Sequence, residues 1–390
     1  MSSSAPTPPA VSRLVVRLPS WVGDAVMATP ALRALRERYP RAEIALQGRG
    51  HLEPLLAGSG LFDRFIPVER GSGSTRRNSA ALREWKPELA IILPHSFRAA
   101  FEVFRAGIPR RLGYEREGRG WLLTESLTPH IRSGRRSPGK WLRGAAIGLA
   151  DRVSKKWIVR AAESHPTLLR ERRELEPIIP VPMVAQYLEL VAVLGAKSDG
   201  LGPRLGIPDD VASGADEDLA AIDIAPDAEF VAVNPGASFG ESKVYPMDLL
   251  ADALDRLHED TGLPTVILCG PGEEPLAESL AEAMASPAHS TSRRMLGLDR
   301  VKRAIQRARV MVTTDTGPWH VANAVETPSV VLMGPTDPRY TAAFLERSIV
   351  LRHEVPCGPC HLKQCPLGHA CMRGISPARV VESALRVMPR

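Results

Sequence analysis

Short apolar segments alternating with helical ones, in two successive series, most limit what this 390-residue chain can fold into. Residues 13–18, 43–47, 64–68 and 89–93 are apolar runs of strand length. Between them, 25–38 carries Val26, Ala28, Leu32 and Leu35 at helical spacing, and 80–85 also reads as helix. A helix opens at Met183 and runs to about 195. A Gly- and Pro-containing loop over 197–210 follows, and then the pattern restarts. Strands are expected at 230–233, 264–269, 309–313 and 329–333, with helices at 247–259, 276–284 and 318–325. Strands alternating with helices build a parallel sheet covered on both faces, and such sheets bind ligands at the carboxyl ends of their strands.

The expected organisation is therefore α/β with two similar domains. A tail covers 1–12, a first domain 13–196, a linker 197–212 and a second domain 213–375. A last segment, 376–390, is expected to form a helix that packs back on the first domain. Hydrophobic residues make up 44% of the chain, enough for a real core. No run of 18 apolar residues is present to span a bilayer. The amino terminus has neither the basic nor the apolar region of a secretory signal, so a cytoplasmic location is expected. The formal charge of +6 is unevenly spread. Residues 131–173 hold twelve Lys and Arg against Asp151, Glu163 and Glu171, a basic insertion suited to anionic partners.

Four strand-to-helix connections carry residues able to do chemistry. In Ser-Trp-Val-Gly-Asp at 20–24, Asp24 sits near a helix start, where it either caps backbone N–H groups or faces the cleft as a general base. The loop 234–246 holds Gly236, Ser238, Gly240 and Lys243, an amide-rich connection with one point charge, suited to a diphosphate or simply to solvent. Asp315, Thr316, Gly317 and His320 open another helix, whose start is an anion site by geometry, unless Asp315 or Thr316 only caps it. Glu273 and Glu274 follow a further strand and either meet ribose hydroxyls or favour the helix dipole.

Cys269 ends an apolar run and reads as a buried residue. Cys357, Cys360, Cys365 and Cys371 cluster with His361 and His369; four thiolates this close are able to hold a structural zinc, although the spacing matches no standard finger. A Gly-x-Gly-x-x-Gly after the first strand and a Gly-x-Ser-x-Gly elbow are both missing, which disfavours dinucleotide oxidoreductases and serine hydrolases.

Taken together, Pro-Ser-Trp-Val-Gly-Asp at 19–24, Asn-Pro-Gly-Ala at 234–237 with Lys-Val-Tyr-Pro at 243–246, and Asp-Thr-Gly-Pro-Trp-His at 315–320 resemble the ADP-heptose:lipopolysaccharide heptosyltransferases. The segment 106–114 and the cysteine cluster add to the resemblance, which runs from about Arg13 to Val387 and is nearest the heptosyltransferase II branch. It implies a GT-B fold, two Rossmann-like doubly wound domains facing a central cleft. It also implies inverting transfer of heptose from ADP-heptose to the lipopolysaccharide inner core, of Kdo-lipid A type, with no cofactor required. Carried over residue by residue, Asp24 is the base, and Ser238 and Lys243 hold the diphosphate. Asp315, Thr316, Gly317 and His320 line the donor site, Glu273 or Glu274 meets the ribose, and Leu296 falls near the adenine.

The acceptor that the resemblance implies is a carboxylate- and phosphate-rich glycolipid, for which Arg110, Arg111 and Arg119 are the candidate contacts. The implied location is the inner face of the inner membrane, at an anionic surface. Tyr245 departs from the Trp more frequent in the family, and the basic insertion is longer than usual. Two other readings compete: another GT-B enzyme with a different donor, or an epimerase, and a basic nucleic-acid-binding protein with a zinc site at the cysteines. An aromatic content of 5% argues against nucleic acid as a partner.

Overall fold

The computed structural model describes residues 11–130, 166–167, 170 and 178–389. The basic insertion at 131–173 lies almost wholly outside the described residues, as does most of the amino-terminal tail.

Two six-stranded sheets, every neighbouring pair parallel, form the centres of two lobes. The first contains β1 (Arg13–Arg17), β2 (Glu43–Gly48), β3 (Arg64–Pro67), β4 (Leu89–Ile92), β5 (Arg110–Tyr114) and β6 (Glu125–Leu127), in the order β3-β2-β1-β4-β5-β6. The second contains β7 (Val231–Asn234), β8 (Thr265–Ile267), β9 (Ala288–Ser290), β10 (Val310–Thr314), β11 (Ser329–Leu332) and β12 (Ser348–Leu351), in the order β12-β11-β10-β7-β8-β9. Counted within each lobe the strand order is the same, so each sheet reverses its winding beside its first strand. That reversal opens a crevice at the carboxyl ends.

Burial on both faces explains why these strands read as continuous apolar runs. On one face of the first sheet, Val15, Ala45 and Ala90 pack with Leu82, Trp85, Ala99 and Val103. On the other, Leu14, Val16, Ile44 and Leu46 pack with Leu32, Leu35, Tyr187 and Leu190. That second cluster continues without a break into Phe230, Ala232, Ile305 and Val321, so an apolar core joins the lobes. The outer face of the second sheet has its own cluster around Val231, Val233, Leu250, Leu254 and Leu280.

Three expectations change. The segment 25–38 is two helices, α1 (Val22–Met27) and α2 (Thr29–Arg38), with Pro30 in the first turn of the second. The linker is shorter than 197–212, because a helix begins at Asp209, after Pro208. The final helix, Pro377–Val387, does not return to the first lobe. It packs on the helix Met247–Thr261 and on β10, β11 and β12, burying Val380, Val381 and Ala384 in the outer core of the second lobe. The helix that does cover the first lobe is Met183–Ala192, which packs on α2 through Leu190 and Val191.

Candidate active site

The carboxyl ends of β1, β7 and β10 lead into the residues of interest. After β1 the chain turns through Leu18–Trp21 into α1, and after β10 through Asp315 and Thr316 into α3 (Gly317–Ala324). These two helices pack against each other across the lobes, and two glycines make that approach possible. A Cβ on Gly23 would lie 2.5 Å from Cδ2 of His320, and one on Gly317 would lie 2.9 Å from Cβ of Val22.

Asp24 lies in the first turn of α1, but the N-cap is Trp21 and no side chain caps this helix. The capping reading of Asp24 therefore fails. Its carboxyl is instead held in a poorly solvated seam between the lobes. Burial raises its pKa to about 6, opposed by the Lys243 ammonium and aided by the Asp315 carboxylate. Both charges belong to the second lobe, so the residue senses the other domain directly.

On that side, Lys243 ends a short helical turn, Glu241–Lys243. Its Nζ donates to Oδ2 of Asp315 at 2.7 Å and to the Asp315 carbonyl at 2.6 Å. Thr336 Oγ1 donates to the same carboxylate oxygen at 2.6 Å. Burial alone would raise the Asp315 pKa, but the Lys243 charge and the hydrogen bonds from Lys243 and Thr336 outweigh it, so the net shift is down. His320 is buried and its pKa is lowered to about 4, chiefly by desolvation, so its imidazole is neutral at ordinary pH.

Three loops thus meet on one buried ion pair. Thr316 is the N-cap of α3, while Gly317 is its first residue and presents a helix start to the same space. Ser238 is exposed on the loop after β7. The two glutamates separate. Glu273 turns onto that loop, its Oε2 accepting from Gly270 N at 3.0 Å and Asn234 Nδ2 at 3.5 Å. It also lies against Gly236, where a Cβ would be 2.1 Å from Oε1. Glu274 instead begins the helix Glu274–Ala283. Leu296 is buried in the core cluster that joins the lobes.

A sequence model described as glycosyltransferase family 9 (heptosyltransferase) matches residues 143–371. The chain belongs to this family. It is a glycosyltransferase. Lipopolysaccharide heptosyltransferase 2 of Salmonella typhimurium is 26% identical over 385 residues, 95% of this chain and 97% of that one. Among solved structures, E. coli ADP-heptose lps heptosyltransferase II superposes with a TM-score of 0.70 at 23% identity, covering 96% of this chain and 98% of its own. E. coli heptosyltransferase WaaC with ADP-2-deoxy-2-fluoro heptose gives 0.62 at 17% identity, covering 96% and 99%.

In this family 9 enzyme the three arginines expected to meet the acceptor are committed elsewhere. Arg110 pairs with Glu125 through two nitrogens, at 2.9 and 3.3 Å. Arg111 donates to the carbonyls of Leu122 and Ile108 and lies over the Phe104 ring. Both stand at the amino end of β5, the end of the sheet away from the carboxyl-end loops. Arg119 is fully buried and holds the loop after β4 by donating to the carbonyls of Pro94 and Ser96, and to Tyr114. Arg119 braces backbone carbonyls, Arg110 is held by Glu125 and Arg111 by carbonyls of its own lobe, so the structure gives no support to Arg110, Arg111 and Arg119 as acceptor contacts.

The four clustered cysteines do converge, lining one cavity of about 330 Å³ with His369, Val355 and Pro356. They do not fit a zinc ion: among the described residues no three His, Cys, Asp or Glu side chains are arranged to hold a metal. Burial, with the neighbouring thiols, pushes Cys371 up to about 12 and raises Cys357 and Cys360. The segment instead buttresses the loop after β7. Ser242 donates its N–H to the Lys363 carbonyl at 3.0 Å and its hydroxyl to that of Leu362, while His369 bonds the Ser242 carbonyl. Tyr245, fully buried, donates to the Ile375 carbonyl at 2.5 Å.

Thr336, Trp21 and His95 were not marked as candidates in the sequence. Thr336 lies in the connection after β11, the same strand-to-helix logic that marked Asp315. Trp21 precedes Asp24 in the chain and is 54% exposed. His95 follows β4, and burial together with Arg116 and Arg119 lowers its pKa to about 3. A lone histidine between a proline and a serine gives no periodic signal.

Proposed function

We propose that this enzyme moves heptose from ADP-heptose to the inner core of lipopolysaccharide, as a heptosyltransferase II-like transferase. The observation that carries this reading is Asp24 of the first lobe facing the Lys243–Asp315 pair of the second, with a pKa near 6. The printed names of the relatives supply donor and acceptor: lipopolysaccharide heptosyltransferase 2 for the curated protein, and an ADP-heptose analogue in the WaaC complex.

The second lobe binds the nucleotide sugar. Lys243, Ser238 and the N–H groups at the start of α3 neutralise the diphosphate as it leaves. Asp315 and Thr336 hold Lys243 in place, and neutral His320 donates to a phosphate or sugar oxygen. Glu273 is favoured over Glu274 as the ribose contact, because it reaches the loop after β7. Asp24 removes the proton from the acceptor hydroxyl as that oxygen attacks the anomeric carbon. One displacement with the base opposite the leaving group inverts the anomeric centre, and no metal or other cofactor takes part.

No helix among the described residues is long and apolar enough to cross a membrane. We place the enzyme at the anionic inner face of the inner membrane, where a lipid-anchored acceptor is found. The deciding experiment is transfer from ADP-heptose to heptose-deficient inner-core acceptor, followed by mass spectrometry, with UDP- and GDP-sugars as controls. A product gaining one heptose supports the reading; transfer only from another nucleotide sugar sinks it.

A further inference from the structure

Lys302 is fully buried and, among the described residues, forms no ion pair. It projects from the helix Leu298–Arg307 of the second lobe. Its Nζ donates to the carbonyls of Pro54 and Ala57 at 3.2 Å each and to that of Gly206 at 2.8 Å. An ammonium has three protons, and all three are used. Pro54 lies within the first-lobe helix Leu52–Leu56 and Ala57 is its C-cap, where carbonyls lack partners within the helix. Gly206 belongs to the linker. One side chain therefore joins the first lobe, the connection and the second lobe.

The surrounding backbone leaves no slack. Gly58 has φ +79°, and a Cβ there would lie 2.6 Å from Cδ of Pro208. A Cβ on Gly206 would lie 2.1 Å from the Gly58 carbonyl oxygen. The linker is tied onward, because Leu205 N donates to the carbonyl of Ala324, the last residue of α3. The helix bearing Lys302 also packs on α3. The same α3 carries Gly317 and His320 against Val22 and Gly23, the two residues before Asp24. With the final helix held in the second lobe, the described chain passes between lobes once, through this knot. Desolvation lowers the Lys302 pKa to about 8, so charge here is costly and is kept by the three carbonyls.

We propose that Lys302 is a positioning residue: it pins the two lobes at their crossing and thereby fixes how Asp24 is presented to the donor lobe. It touches neither donor nor acceptor. Its effect on turnover rests on the transferase reading above, but its effect on lobe geometry does not.

The test uses full-length enzyme carrying Lys302→Met, with Gly206→Ala as a second perturbation of the same knot. The distance between lobes is read by pulsed electron paramagnetic resonance, using genetically encoded labels at exposed Arg41 and Glu259. Both variants should broaden or shift that distance. Turnover should fall about 10- to 100-fold, the scale expected when a reacting group is displaced by an ångström. Calorimetric affinity for ADP should stay within about twofold, because the donor loops are untouched. If Lys302→Met folds poorly, Gly206→Ala carries the test alone. An unchanged distance with turnover intact overturns the proposal, as does a lowered melting temperature with geometry and turnover of the folded fraction preserved. A shifted distance in an enzyme whose parent shows no heptosyl transfer would uphold the pin and reject the substrate reading.

Discussion

The two lobes share one strand order and differ at the ends of their strands. In the second lobe, the loops after β7, β10 and β11 meet in a hydrogen-bonded unit of Lys243, Asp315 and Thr336. In the first lobe, the connection after β1 leads into α1, whose first turn offers a single carboxyl, Asp24, after the exposed N-cap Trp21. One side is organised in advance around charge. The other supplies one group whose protonation depends on being pressed against its partner. A rigid, charged half suits a ligand with fixed phosphates, and a sparse half leaves room for a large acceptor.

Breaking the sparse side should cost most. If Asp24 is the base, Asp24→Asn removes it and little else, so turnover should drop about 10²- to 10⁴-fold, the range for a lost general base. Calorimetric affinity for ADP-heptose should be nearly unchanged. Retained turnover would remove Asp24 from the chemistry. The same residue sets a pH limb. A base must be deprotonated, so kcat/KM of the parent enzyme should rise with pH and level off above about 6. The stability effect has the opposite sign. The folded-state pKa lies above the unfolded value, so Asp24 lowers stability progressively from the ordinary carboxylate range up to about 6. Thermal melts across that interval should show Asp24→Asn losing this pH dependence.

Breaking the organised side comes next. Lys243→Ala strips the charge proposed to meet the diphosphate and leaves Asp315 buried without its ammonium. Donor KM should rise about 100-fold, the size of losing one partner of a buried charge contact with a ligand, and the melting temperature should fall, since breaking a buried pair costs about 3–5 kcal/mol. A variant with unaltered KM would mean the lysine serves only Asp315. In Asp315 the linkage runs the usual way for a carboxylate: its folded pKa is depressed, so its contribution is present above the unfolded value and lost on acidification.

Much of this contrast was legible in the sequence. The twofold series of apolar runs marked eight of the twelve strands, because parallel strands buried on both faces are apolar without interruption. The four missed, β5, β6, β9 and β12, are edge or next-to-edge strands in the sheet order. β5 begins with two arginines, and β6 and β9 have no fully buried residue. Asp24, Lys243, Asp315 and His320 were visible because each follows a strand. The arginines misled for a physical reason: sequence counts charge but does not reveal which guanidinium is spent on carbonyls, as that of Arg119 is. The final helix misled because an amphipathic face says that something is covered, not which lobe is.

A finer comparison separates Glu273 from Glu274. Glu273→Gln should raise donor KM about tenfold, in line with losing a charged hydrogen bond of about 1.5–3 kcal/mol. Glu274→Gln, on a residue that only opens a helix, should stay within about twofold, the size of a helix-dipole effect. Equal effects would erase the distinction drawn from Gly236 and Asn234.

The smallest expected effect concerns metal. If Lys243 and the start of α3 carry the leaving diphosphate, divalent cations have no remaining charge to neutralise there. Dialysis against a chelator should then leave turnover within about twofold, since the transition-state charge is already met by fixed protein groups. The cysteines sharpen this. The segment that carries them stands behind the loop after β7, joined to it through Ser242, so a disturbance of that segment should be felt as a rise in donor KM rather than a loss of chemistry. A chelator that lowers kcat at unchanged KM would place a cation on the diphosphate itself. The second lobe would then be only half of the organised side described here.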